Sequence, residues 1–196
     1  MSGRTVKFRQ MRDGTAEDYA LLREYEAPFL ARLPDVVLDA VRALDQSLDG
    51  YPVTRFTHSL QTATRALNDG ADDDLVVAAL VHDVGDILAP FNHAAVAAAM
   101  LRPYVRAEVT WVVEQHGLFQ SWYYAHHYGS DRNGRERFRT HPWFDLCADF
   151  CERWDQASFD PGFPTLPLSA FEPAVRRVFS RPAHDQSYVK PCLNRP

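Results

Sequence analysis

The chain has little cysteine, no long apolar run and no excess of positive charge. Its three cysteines, Cys147, Cys151 and Cys192, are an odd number without Cys-x-x-Cys spacing. That pattern excludes a disulfide framework and fits a reducing compartment. Cys147 and Cys151 stand one helical turn apart, so they either share a metal or act as small core hydrophobes. No apolar stretch reaches the roughly 18 residues a membrane helix needs. The opening MSGRTVKFRQM has no apolar core of the kind a signal peptide carries, so the expected location is the cytoplasm, with no membrane partner. A net charge of -5 and a pI near 5.9 argue against nucleic acid as the main partner, and no basic stripe with interleaved aromatics offsets them. Internal repeats and low-complexity segments are missing, and no segment alternates with period two, so the expected fold is all-α.

With 196 residues at 46% hydrophobic content, the chain has material for one sizeable core. The expected arrangement is a single domain over 1–196. Its core runs from about 50 to 160, with N-terminal helices in 15–47 and a C-terminal helix and tail in 159–196. The most informative stretch is Leu75-Val76-Val77-Ala78-Ala79-Leu80-Val81, which leads directly into His82-Asp83-Val84-Gly85-Asp86. Asp72, Asp73 and Asp74 precede it, where carboxylates cap free amides and favour the positive helix end; Gly85 follows, where a helix can turn off. This places an imidazole and a carboxylate at the inner end of a core helix. Burying both is costly unless something pairs with them; a divalent metal does so, and a hydrogen bond between neighbours is the plainer alternative.

Thr15 opens the first helical pattern with Asp18 as a near capping box, and Pro28 and Pro34 divide the segment to Ser47 into two or three short helices. Residues 54–68 predict a helix ending at Gly70, with His58, Gln61, Thr62 and Arg65 on one face beside an apolar stripe of Phe56, Leu60, Ala63 and Leu67. Asn92 caps a helix that starts near His93 and is limited by Pro103. Tyr104–His116 predicts another, with Gly117 as its C-terminal stop and His116 in its last turn. Residues 118–140 read as a loop rich in aromatics and arginines, with His126 and His127 on its rim. A helix over about 142–158 turns Phe144, Cys147, Ala148, Cys151 and Trp154 inward and leaves Asp155 at the edge of that stripe. A last helix is expected near Ser169, with Glu172 as its capping-box partner.

His58, His82-Asp83, His93, His116 and Asp155 thus fall on helix ends or inward faces of five separate helices, the way a bundle builds a metal site in its core. In its order His, His-Asp, Asp the chain resembles the HD-domain superfamily over roughly residues 50–160, and His93 and His116 resemble the additional histidines of members that hold two metals. The resemblance implies an HD-domain helical bundle with a dinuclear metal site. Asp83 would bridge, His58, His82 and Asp155 would hold one metal, and His93 and His116 the other.

The stretches His58-Ser-Leu-Gln61-Thr62 and Trp154-Asp155-Gln156-Ala157-Ser158-Phe159-Asp160-Pro161 are similar to the small HD oxygenases. These include phosphonate-degrading enzymes and, more distantly, myo-inositol oxygenase. The resemblance implies two iron ions of mixed valence, with manganese or another divalent metal as the alternative, acting with O2 on a small hydroxylated substrate of phosphonate or amino-alcohol type. It puts Asp86 and Gln61 in catalytic positions. A metal-dependent HD phosphohydrolase acting on a phosphate ester or nucleotide is the alternative, since open metal positions also serve a metal hydroxide. A ligand-binding domain without chemistry is the third reading.

Substrate positions depart from the phosphonate pattern: Asp86 replaces a Lys or His, Gln120 a Lys, and Glu152 an Arg. Asp86 and Glu152, with Trp122, Tyr123 and Tyr124 close in sequence, suit a cationic group, or else form a solvated helix edge beside core aromatics. Arg132, Arg135, Arg137 and Arg139 either anchor an anion or pair with Asp131 and Glu136.

Overall fold

The structure is a computed structural model that describes residues 3–190, so Cys192 lies outside the described residues. Every regular element among these residues is helical. α1 (Ala16–Leu30) opens with the expected box: the Thr15 hydroxyl accepts from the Asp18 amide, and the Asp18 carboxylate accepts from the Thr15 amide. Pro28 does not break α1. It stands in the last turn, where the clash and lost hydrogen bond of a proline disturb the fewest following residues. Pro34 stands in the first turn of α2 (Leu33–Ala43), where its missing N–H is not needed.

α3 (Arg55–Asn68) starts at Thr54, whose hydroxyl accepts from the Thr57 amide at 3.2 Å. Its polar face is buried along with its apolar one, from His58 to Thr64. α4 (Asp73–Val81) is capped by Asp72, which accepts from the Leu75 amide at 3.1 Å. Asp73 pairs with Arg177, and Asp74 with Arg106 and Arg181. The run Leu75–Val81 is buried on all sides, as an apolar helix without a polar face must be.

α5 (His93–Leu101) follows, and then α6 (Ala107–Tyr124), which continues past Gly117. A mid-helix glycine costs about 1 kcal/mol relative to alanine, but burying an aromatic ring gains more. Phe119 is fully buried against Trp111 and Phe144, with ring centroids 5.8 and 5.0 Å away. Residues 118–124 are therefore helix rather than loop, and His116 lies in mid-helix. Two 3-10 turns follow, Ala125–Tyr128 and Arg132–Phe138.

α7 (Phe144–Asp149) runs directly into a π-helical segment, Phe150–Asp155, in which the Gln156 amide reaches back five residues to the Cys151 carbonyl at 2.9 Å. Cys147 and Cys151 are buried, their thiols facing the Val112 and His116 carbonyls at 3.6 and 3.5 Å, so they are core hydrophobes. α8 (Glu172–Phe179) begins later than expected: Ser169 lies in a 3-10 turn, Leu168–Ala170, and Pro173 rather than a capping box shapes the first turn. The short α9 (Gln186–Val189) ends the described chain. No described helix is long and apolar enough to cross a membrane. α3 packs on α4 and α5 on α6, and the π-segment packs against α3 and α6, which gathers the histidine-bearing elements at one place.

Candidate metal centre

α4 stops at Val81 and His82 is its C-cap; a succession of tight turns then follows, Val84 onto Val81 and Asp86 onto Asp83 at 3.1 and 2.9 Å. Gly85 matters less for turning the chain than for what rests on it. A Cβ there would lie 2.5 Å from the His93 carbonyl oxygen and 2.6 Å from its Cα. Only glycine lets the first residue of α5 dock this closely, and that docking brings His93 to Asp83.

All six expected ligands converge. His58, His82, Asp83, His116 and Asp155 are almost completely buried, and His93 is half-buried at the rim. The Asp83 carboxylate faces two ways. Its Oδ2 lies 3.5 Å from His58 Nε2 and 3.4 Å from His82 Nε2, with Asp155 Oδ1 3.3 Å from His58 Nε2. Its Oδ1 lies 3.5 Å from His93 Nε2 and 3.4 Å from His116 Nε2.

The other nitrogen of each ring fixes the tautomer. Nδ1 of His58, His82, His93 and His116 faces the carbonyls of Ser158, Ala79, Pro90 and Val113 at 3.0, 2.8, 3.2 and 2.6 Å. A carbonyl only accepts, so each Nδ1 carries the hydrogen, and each Nε2 is left facing the centre, where a bound metal would take its lone pair. The lone pairs meet in pairs, His58 with His82 at 3.1 Å and His93 with His116 at 3.3 Å. Two lone pairs at that distance repel unless a cation lies between them. Two imidazoles at about 2.1 Å from one metal are roughly 3.0–3.4 Å apart for right-angled to tetrahedral geometry. The donor set therefore fits a metal on each side of Asp83.

Burial pushes the His82 imidazole down to about 4, against the pull of Asp83 and Asp155. Burial opposes ionisation of the Asp83 carboxyl too, but His82, His116, His58 and Arg55 hold it well below the usual range. Asp155 is likewise held low, by His58 and His82 against burial. A buried, ionised carboxylate pair faced by four imidazole nitrogens is a centre made for cations.

The centre opens into a cavity of about 330 Å³ walled by Tyr51, Arg55, Gln120, Tyr124, Tyr128 and Phe159. Arg55 went unseen in the sequence, although its place three residues before His58 puts it on the same helix face. Its Nη1 lies 3.2 Å from Asp83 Oδ2 and its Nε 3.3 Å from Asp86 Oδ2, and its guanidinium covers the Tyr51 ring at 4.8 Å. Asp86 stands between Arg55 and His93, its Oδ1 3.3 Å from His93 Nδ1, as an orienting carboxylate does. Gln120 donates to Asp155 Oδ1 at 3.0 Å, and its own carbonyl oxygen is buried without a hydrogen-bond partner.

Gln61, Tyr123, Glu152 and Arg132 are not brought to the cavity. Gln61 clamps the backbone of Asp160, donating to its carbonyl at 2.7 Å and accepting from its amide at 3.3 Å. That clamp holds the chain just after Asp155, a structural task. Tyr123 packs against the core beside Arg135, and burial pushes its hydroxyl up to about 12. Glu152 is exposed on the outer side of the π-segment. Arg132 and Arg135 stack on Trp122 at 4.3 and 4.2 Å, and Arg139 pairs with Glu136 at 2.6 Å, so these arginines build the wall behind α6. His126 and His127 are exposed in the first 3-10 turn.

The family model described as HD domain matches residues 55–155. No curated protein matches the chain.

Proposed function

The chain belongs to the HD-domain family, and from that premise we propose that it is a dinuclear iron oxygenase that uses O2 to oxidise or cleave a small hydroxylated substrate of phosphonate or amino-alcohol type. The observation that carries this reading is the two-way Asp83 carboxylate, each oxygen of which faces its own pair of Nε2 lone pairs. Imidazole and carboxylate donors without thiolate suit iron or manganese. Bound there, the metal pair would supply activation of O2 and polarisation of a substrate hydroxyl.

The remaining work falls to this chain's own residues. A cavity of about 330 Å³ is at the small end of ligand pockets, which favours a compact substrate over a nucleotide. Arg55 offers a guanidinium to a phosphonate or carboxylate group. The unpartnered Gln120 carbonyl oxygen accepts from a substrate hydroxyl or ammonium. Tyr51, Tyr124, Tyr128 and Phe159 line the cavity and offer ring faces to an ammonium group. Asp86 holds the His93 ring in its ligating tautomer.

One observation favours the phosphohydrolase alternative: Arg55 beside the bridging carboxylate is also placed to stabilise charge on a phosphate oxygen. The deciding experiment is metal analysis and EPR on anaerobically purified protein, followed by O2 uptake with hydroxyphosphonates and amino alcohols. A coupled mixed-valent iron signal with substrate-dependent O2 uptake is expected. Manganese or zinc content with release of phosphate from esters, and no O2 uptake, moves the assignment to hydrolysis.

A further inference from the structure

α1 is a helix of 15 residues that buries no side chain. A helix of that length is marginal in water without tertiary packing. One of its faces is nevertheless apolar: Leu22, Phe29 and Leu30 are 39%, 72% and 54% exposed. Tyr19, Leu22, Arg23, Glu26 and Phe29 follow one another at helical spacing and line a groove of about 650 Å³ together with Met11. The N-terminal segment braces this helix along the edge of the groove, through Tyr19 and Tyr25, which line it. The Tyr25 hydroxyl donates to the Arg4 carbonyl at 3.0 Å, the Tyr19 hydroxyl donates to the Met11 carbonyl, and Phe8 stacks on Tyr19 at 5.7 Å. The groove is thus a held surface.

Its charges indicate what covers it. Arg23 and Glu26 stand three residues apart in the groove, yet neither pairs with the other or with any other described residue. A ligand of one charge would satisfy one and repel the other. An antiparallel copy of the same helix satisfies both, because a two-fold axis near residues 24 and 25 sets Arg23 opposite Glu26 of the second copy, and the reverse. The same axis sets Tyr19 against Leu30 of the second copy. We propose that α1 is the interface of a homodimer, formed by two antiparallel α1 helices that close over this groove.

The test is sedimentation velocity on the full chain over a concentration series, with Phe29→Glu, Arg23→Glu, Glu26→Arg and the double variant Arg23→Glu/Glu26→Arg. All three positions are on α1, which buries nothing, so the bundle should fold and keep its metal in each of the four variants. A dimer is expected, weakened about 100-fold or more by Phe29→Glu, as for an aromatic hot spot. Each single charge variant should weaken it about tenfold, and the double variant should recover the original affinity. A monomer at every concentration, or a dimer indifferent to these variants, overturns the proposal. Single variants that weaken the dimer with no recovery in the double overturn the antiparallel pairing. Cosedimentation with neutral phosphatidylcholine vesicles that Phe29→Glu abolishes, in place of self-association, would assign the groove to a lipid surface instead.

Discussion

Around α3–α6 the chain hides His58, His82, Asp83, His116 and Asp155 from water, whereas along α1 it displays Leu22, Phe29 and Leu30 to it. Both regions invert the ordinary partition of side chains, in opposite senses. In the buried region the four imidazole rings are fixed from behind, each Nδ1 by a carbonyl, and point forward at a common place, while Gln120 holds Asp155 from the cavity side. In the exposed region the apolar groups share a line rather than a point, and their spacing repeats the helix. Convergence on a point indicates an ion; periodicity along a line indicates another helix. The comparison separates two kinds of incompleteness that burial alone would not distinguish.

The largest expected effect breaks the buried region. Asp83→Ala removes the one carboxylate among the described residues that both histidine pairs share, so elemental analysis should find neither metal, and turnover should fall by more than the 10- to 100-fold, roughly, that outer-shell changes bring. His58→Ala spares the His93–His116 pair and should leave at most one metal. Leu80→Ala, at a fully buried position of α4, should lower unfolding free energy by about 2–5 kcal/mol in urea melts. Gly85→Ala drives a methyl into the His93 backbone and should cost about 1–3 kcal/mol, with the metal on the His93 side lost first in a chelator titration. Asp86→Asn keeps the packing but weakens the hold on His93, and metal affinity measured by competition should drop about 10- to 100-fold. Phe29→Ala sharpens the contrast from the other side. At dilution it should change unfolding free energy by no more than about 0.5 kcal/mol, although it removes a larger side chain than Leu80→Ala does.

The all-α fold and the six converging side chains were legible because they rest on local signals: carboxylates before an apolar run, histidines at helix ends, and proline and glycine between segments. What escaped the sequence depends on contacts far apart in the chain. Gly117 reads as a stop, yet Phe119 is buried beyond it and carries α6 on to Tyr124. Gln61 reads as a catalytic position beside His58, but Asp160 arrives from 99 residues away and takes both ends of its amide. Arg132 reads equally as anchor or surface charge until Trp122 appears beneath it. Arg55 carries no motif, and only the approach of Asp83 and Asp86 gives it a place in the cavity wall.

The π-helical segment can also be stated as an angle. Each residue of an α-helix advances about 100° around its axis, so the added residue per turn between Cys151 and Gln156 acts as a change of phase. Upstream of it, Phe144 and Cys147 keep their inward heading as in any amphipathic helix. Downstream, Asp155 is buried with its Oδ1 3.3 Å from His58 Nε2. The carboxylate that completes one half of the centre is aimed by backbone winding, and a one-residue deletion within this helix would leave the residue in place in the sequence while turning it away from the metal.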